Sequence, residues 1–452
     1  MINKILNNEE GSSLLLLLVV ILVITILGVN LSRISLNQYQ NTLREEKRIQ
    51  SYYIAKSGAN LVASAIENNI VDAELINSRT ATNNLNDGFF SVHVEHKGNN
   101  TIITSTGTVD DISTEVSVEL SKYIANKEQL PIIDHAVFAD SQIELAGAII
   151  KGDLGIDNNG IDKNGNIKPV LKMEPWSDPI IEGNIFLPAG WSEDSIDEEP
   201  YEGWADKSFH GDYRTLDANR DYVLPEFPEF PTESTFVNDT YHAGWHDPSP
   251  PFNIHSSKWY DKMLIDSELI IHVYDDDINI RVNDLEVNGE ITVKRHGEGN
   301  LNFYVDNDFK LEGSGSINKI NNNQNNNHTD YVNLYYAGNS TFKSAGRTEF
   351  HGNLFVDNAD IKLIEGGGIM GNIVTGGRNF EMSGGSSANV QAIYAPNAHA
   401  RLYGGGTING AIITESIFIE GGTSIEFNDS LLDLNPEDLG FEIIEEYTRT
   451  WR

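Results

Sequence analysis

The sequence predicts a mainly β protein carried on one long N-terminal α-helix: after the helix, a small antiparallel sheet, then a parallel β-helix. Three observations predict it. Residues 11–32 carry no charge and include an unbroken apolar run from Leu14 to Ile24. Residues 89–120 fall into short alternating runs separated by tight turn signals. The C-terminal half repeats itself about every 20 residues.

Bulk properties exclude several functions. At 452 residues with an ordinary apolar content, the chain predicts two or three folded domains. A net charge of -36 argues against a nucleic-acid partner, which would need clustered Lys and Arg. Cysteine is absent, which excludes disulfides, thiolate metal sites and thiol nucleophiles.

As a helix rising about 1.5 Å per residue, the stretch from Gly11 to Ser32 spans roughly 30 Å, enough to cross the hydrocarbon of a bilayer. No small-x-small cleavage site follows it, which argues against a removable secretory signal. The helical pattern continues beyond it. Leu36, Tyr39 and Leu43 share one face, and Tyr52, Ala55, Ala59, Val62 and Ile66 share another.

The start NNEEGSSLLLLLVVILVITILG, followed by KRIQSYYIAKSGANLVASAI, resembles the N-terminal region of PilX-type minor pilins, over about 70 residues. The resemblance implies a leader over residues 1–11, cut by a prepilin peptidase between Gly11 and Ser12, with methylation of the new amino group on Ser12. It also implies that 12–68 form a transmembrane and filament-spine helix. Major pilins carry Glu at the fifth mature position. Leu16 stands there instead, which points to a minor or tip subunit rather than the main building block, because the buried carboxylate that would pair with a neighbouring amine is missing. Lys4 is outweighed by Glu9 and Glu10 in the leader, so orientation rests on the resemblance and not on charge.

Residues 69–130 are expected to form a small antiparallel module of pilin type. NSRTATNNLNDG reads as a loop, and strands are expected at 89–96, 101–109 and 112–120. A parallel β-helix is expected over 131–435, interrupted by an irregular insertion at about 156–264. The Pro spacing of LPEFPEFP there precludes a central strand or helix. Residues 436–452 read as a C-terminal tail.

The repeat rests on HGNLFV, MGNIVT, VQAIYA and NGAIIT, which align Gly352, Gly371, Gln391 and Gly410. IKLIEGG, FEMSGG, ARLYGG and IFIEGG lie between and after them. One such unit cannot bury its apolar face alone, whereas stacked coils form a continuous core. AVFADSQIELAGAIIKG, from Ala136, echoes the same pattern, so residues 136–155 are expected to form the first coil and the stack to resume near 266. An antiparallel sandwich is the alternative; the lack of alternating hairpin signals favours the helix. This region resembles the Gly-rich β-helix-like domain that accompanies PilX-type N-termini in some bacterial surface proteins.

Candidate chemistry is sparse. His242 and His246 are four apart, but Gly244 and Pro248 disfavour a helical zinc pair. DNNGIDKNGNIK lacks the calcium-loop ligand spacing and reads as a turn, as does Asp275–Asp277. Trp191, Trp204, Trp245 and Trp259 are candidates for a ligand groove, against ordinary packing. A polysaccharide-active enzyme would need acidic and basic groups projecting from neighbouring coils, and Arg347, Arg378 and Arg401 occupy different positions in the repeat. The sequence therefore carries no catalytic residues, metal ligands or cofactor site that can be named.

The resemblance implies a minor pilin-like subunit of a type IV pilus or related filament, with a structural or adhesive role. It would sit in the cell membrane as a single-pass protein before assembly, and at the pilus surface or tip afterwards. Its partners would be the prepilin peptidase, other pilin subunits and the assembly machinery, with a surface polymer as a further candidate. The alternatives are a pseudopilin of a type II-like secretion system and a membrane-anchored β-helical enzyme.

Overall fold

The structure is a computed structural model that describes residues 9–85, 88–161, 165–174, 179–198, 209, 211–232, 236–244, 252–319, 329–389 and 392–452. The chain divides into two compact units, one reaching to Asn126 and taking in Ile444–Arg452, the other covering Lys127–Ile443.

The first unit begins with a single helix, α1, over Glu9–Glu67. It contains no proline and is rich in Leu, Ile and Val. At about 1.5 Å per residue it is roughly 90 Å long. Within its apolar part, the hydroxyl of Thr25 donates to the Ile21 carbonyl at 2.7 Å, so the side chain brings no unpaired donor into a nonpolar surround. Further along, Ser51, Ile54, Ala55, Ala59, Ala63 and Ile66 are buried against a sheet. Small residues dominate this face, which lets backbone approach backbone. A Cβ added at Gly107 would lie 2.2 Å from the Ser51 carbonyl oxygen.

That sheet has five antiparallel strands: β1 (Thr80–Leu85), β2 (Gly88–Lys97), β3 (Asn100–Val109), β4 (Ile112–Ile124) and, beside β4, the C-terminal strand Glu445–Trp451. Phe90, Val92 and Val94 of β2, Ile103 of β3, and Val116, Val118 and Leu120 of β4 face the helix. The period-2 burial of β4 is the alternation its sequence carries.

Two expectations change here. β1 lies inside the segment read as a loop; TATNNL has no apolar alternation because it is an exposed edge strand, held by its ladder to β2. The residues after 435 do not end as a tail. Pro436–Leu439 is a short 3-10 turn, and Glu445–Trp451 pairs with β4 from Ile124 to Val118. Strand content there is hard to read from EEYTRTW alone, because an edge strand buries little apolar surface.

The second unit, the head, is a parallel β-helix of one 18-stranded and one 11-stranded sheet. Each coil contributes strands to both. Residues inside the coils form one continuous apolar core from Val137 to Ile425. Its aromatic members include Phe303, Phe309, Tyr336, Phe342, Phe350 and Phe380, and Phe309 stacks on Phe342 at 4.8 Å. The Gly-Gly pairs of the repeat are corners: Gly384–Gly385, Gly404–Gly405 and Gly421–Gly422 all have φ between 68° and 83°, where a side chain would be strained. The polar line of the coil is an asparagine ladder. Asn302 donates to Asn279 at 3.0 Å, Asn333 to Asn302 at 2.9 Å, and Asn353 to Asn333 at 3.1 Å. Asn353 then accepts from the Asn372 backbone and Asn372 from that of Ala392. Each amide meets the next coil's demand, so no buried donor in the column goes unpaired.

The stacking order differs from the chain order. Strand Val137–Ala146 does not precede the coil near 266; it pairs with Ala411–Glu420, the last repeat, from Ile412–Val137 to Glu420–Ala146. Residues 156–264 are irregular only in part: 216–232 form no strand, but other described stretches belong to the stack. Leu171–Met173, Ile180–Glu182, Ile185–Leu187 and Ile196–Glu198 build further coils outward from Val137–Ala146. Strands Phe236–Ala243 and Lys258–Ile265 begin the stack at its opposite end. Short strands with long turns between them hide the 20-residue period, which is why the sequence reads as irregular.

Between those two ends runs a proline-rich strap, residues 216–232. Its partners advance coil by coil. Tyr222 packs on Phe138 and Tyr394, Phe227 on Tyr335, and Phe230 on Tyr304. The Tyr394 hydroxyl donates to the Val223 carbonyl at 2.6 Å, and Arg281 donates to that of Pro231 at 3.2 Å. The strap covers an outward apolar ridge in which Tyr304, Tyr335, Phe355, Val374, Tyr394, Ile413 and Phe138 follow one another in register. Pro denies the segment a sheet ladder, so it binds through side chains.

Candidate functional site

Two surfaces offer themselves, one in each unit. In the first, α1 is long and apolar enough to cross a membrane. Its apolar residues from Leu14 to Val29 stand exposed on all sides, Leu14 and Leu15 at 68% each. A helix apolar all round requires a nonpolar partner, either lipid or other helices. Gly11 and Ser12 lie in the first turns of α1, and residues 1–8 of the expected leader lie outside the described residues. Leu16 is exposed with its neighbours. Of the face expected lower down, Ala55, Ala59 and Ile66 are buried and Val62 packs at the margin, while Tyr52 points outward and stacks edge-on with Tyr53. Leu36, Tyr39 and Leu43 remain exposed.

The helix is pinned to its sheet at the far end. Arg449 donates to Glu67, to Asn60 at 3.0 Å and to Ser64 at 2.9 Å. Lys56 lies over the Trp451 ring, 5.2 Å from its centre. Nothing in the sequence signals this pairing, whose partners are hundreds of residues apart.

In the head, an open trough on the outer wall is lined by Thr341, Asp360, Lys362, Asn379, Glu381, His399 and Arg401. Successive coils place Lys343, Lys362, Glu381 and Arg401 in one line. Lys362 bonds Glu381 at 2.6 Å, and Arg401 bonds Glu420 at 2.7 Å while lying over the rings of Tyr403 and Phe418. Hydrogen bonds from Lys362 and Tyr403 outweigh the effect of burial and hold the Glu381 carboxyl below its ordinary pKa. A second opening, apolar, lies between the strap and the wall, lined by Leu224, Phe227, Tyr335, Phe355 and Val374.

The other sequence candidates disperse. Trp191 packs on Tyr213 beyond the coils that pair outward from Val137–Ala146, and Trp259 lies under Arg281 at the other end of the ladder, so they share no groove. Trp204, Trp245 and His246 lie outside the described residues. His242 is bonded to Asp266 at 2.9 Å. In DNNGIDKNGNIK, Asn158 and Asn159 cap their own turn by accepting from Gly160 and Ile161, and Asp277 accepts from the Asn300 backbone at 2.7 Å. Among the described residues no group of three or more His, Asp or Glu is placed to hold a metal ion.

Comparison with known proteins gives three results. A profile for a domain of unknown function (DUF7305) matches residues 257–391, within the regular part of the stack. No curated protein matches the chain. Among solved structures, the competence-associated pilin ComZ from Thermus thermophilus aligns over 90% of this chain and 98% of its own length. That alignment has 11% identity and a TM-score of 0.25, too loose a superposition to carry an argument.

Proposed function

We propose that the protein is a minor pilin-like subunit of a type IV pilus or related surface filament, with a structural and adhesive role and no enzymatic one. In this reading a prepilin peptidase cuts between Gly11 and Ser12 and the Ser12 amine is methylated. The helix then waits in the membrane as a single-pass anchor, and afterwards packs among other pilin subunits with the assembly machinery's help. The head is carried at the filament surface or tip, where its rigid wall meets a surface polymer.

The observation that carries the reading is the division of α1. One half is apolar on every side, and the other buries a small-residue face on an antiparallel sheet. A secreted enzyme needs no such anchor, and an ordinary membrane tether needs no packed lower half. The PilX-type sequence at its start adds a processing route.

The test is the mature N-terminus, read by mass spectrometry in cells with and without prepilin peptidase. A methylated Ser12, lost without the peptidase, is the expected result. A start at Met1 or beyond Ser32 would remove the filament assignment. Deleting the gene then separates pilus from secretion system: intact fibres with lost protein export would favour the latter.

A further inference from the structure

Three imidazoles meet at the end of the head where the coil succession begins. His255 follows strand Phe252–Ile254, His272 lies in Glu268–Val273, and His296 follows Glu290–Arg295. The ring of His272 lies 4.5 Å from that of His255 and 5.3 Å from that of His296, with interplanar angles of 15° and 6°. Tyr274 stacks on His296, with ring centres 5.0 Å apart. His255 stacks on His272, whereas His296 lies beside His272 nearly in its plane and is joined to it edge to edge by a hydrogen bond. His272 Nδ1 is 3.0 Å from His296 Nε2, and His272 Nε2 is 3.1 Å from the Asn253 side-chain oxygen.

That geometry fits the neutral rings. Nε2–H of His272 donates to Asn253, and its Nδ1 accepts from Nε2–H of His296. One added proton can be taken up on the free Nδ1 of His296 without breaking this bond. A second cannot, because both facing nitrogens would then carry hydrogen. The charges that act on His272 are all positive: His255, His296 and, opposite it in register, Lys294. Four carboxylates of the adjoining strands and turns are turned to other tasks. Glu298 pairs with Arg295 at 3.8 Å, Glu290 accepts from Thr292, Asp277 accepts from Asn300, and Asp275 lies against the Gly297 backbone.

We infer that His255, His272 and His296 form an acid-released clasp across three coils, closed until both His272 and His296 are protonated, so that this end of the head frays in mild acid. Burial, then the neighbouring positive charges, lower the pKa of His272 from its ordinary 6.5. His272 therefore binds a proton less readily in the folded than in the unfolded chain. Its stabilising effect is complete above about pH 6.5 and is lost as pH falls below that value.

Hydrogen exchange on the intact chain in detergent, corrected for intrinsic rates, tests this. Between about pH 7 and pH 5, protection of 269–273 should fall by roughly tenfold per proton and pH unit. Strand Ala411–Glu420 serves as the internal control and should not change. His272→Gln should remove the pH dependence while keeping an amide donor and acceptor. If that variant frays at neutral pH, His296→Gln and the NMR titration of the His272 imidazole decide, with His272 titrating below an ordinary histidine. Equal protection at both pH values, or the same acid loss in both variants, would overturn the clasp.

Discussion

Arg449, in the last strand of the chain, forks onto Glu67, in the last turn of the helix that begins it. Nε reaches Oε1 at 2.5 Å and Nη2 reaches Oε2, while the remaining donors take Asn60 and Ser64. Both members are less than one-third exposed. The planar fork fits the carboxylate through two parallel bonds, which a lysine cannot reproduce. Arg449→Ala should destabilise this unit by about 2 kcal/mol, and Arg449→Lys should recover only part of it. Faster hydrogen exchange across Glu445–Trp451 would report the loss, with the head unchanged.

Gly107 permits the close approach of β3 to α1. A methyl group there would sit 2.2 Å from Ser51 O and 2.4 Å from the Ala55 nitrogen, both backbone atoms that cannot swing aside. Gly107→Ala should cost about 1–3 kcal/mol, as overpacking does. Thermal unfolding of the detergent-solubilised protein measures it. An unchanged midpoint would mean that the helix sits less tightly on the sheet.

The asparagine ladder makes a prediction for the head. Asn353 is buried, donates to Asn333 and accepts from Asn372. Asn353→Ala would leave both partners without a mate, at about 1–3 kcal/mol for each orphaned buried group. Denaturant titration of the head should show it, and Asn283→Ala, on the exposed face, serves as the control with a change under about 0.5 kcal/mol.

Acid should weaken the point where the strap begins. Burial works to raise the Asp134 carboxyl, but hydrogen bonds from His135 and Arg220 prevail and hold it well below the usual carboxylate range. Its folded pKa is depressed, so the stabilisation is present above the unfolded value of about 4 and is lost as pH falls below it. Chemical denaturation at about pH 5 and about pH 3 should show a smaller midpoint drop for Asp134→Asn than for the native chain.

How much of this was legible depends on what each segment buries. The apolar run from Leu14 to Ile24 and the alternation from Ile112 to Leu120 announce themselves, because burial or lipid exposure dictates the residue types. The Gly-Gly corners mark each coil from Gly384 onward, where both residues of the pair are left-handed. The coils from Leu154 to Ser195 escape notice: their three-residue strands carry too few positions to set a period. Thr80–Leu85 and Glu445–Trp451 escape because edge strands are selected for pairing and not for burial. The trough residues Lys362, Glu381 and Arg401 become a line only once the register between coils is known.

The strand order of the head has a consequence for its biosynthesis. A ribosome delivers residues 137–215 first, yet the edge they dock on, Ala411–Glu420, emerges roughly 200 residues later. A solenoid threaded in chain order can grow one turn at a time as it appears. This one must hold its earliest turns unmated until the last are made, with the strap as their tether. Loop closure of that length is slow, and it leaves two parallel strand edges open to other chains in the meantime. Nascent copies are therefore most vulnerable to mispairing before residue 420 clears the exit, and a chaperone acting there would protect more than one acting on the finished protein.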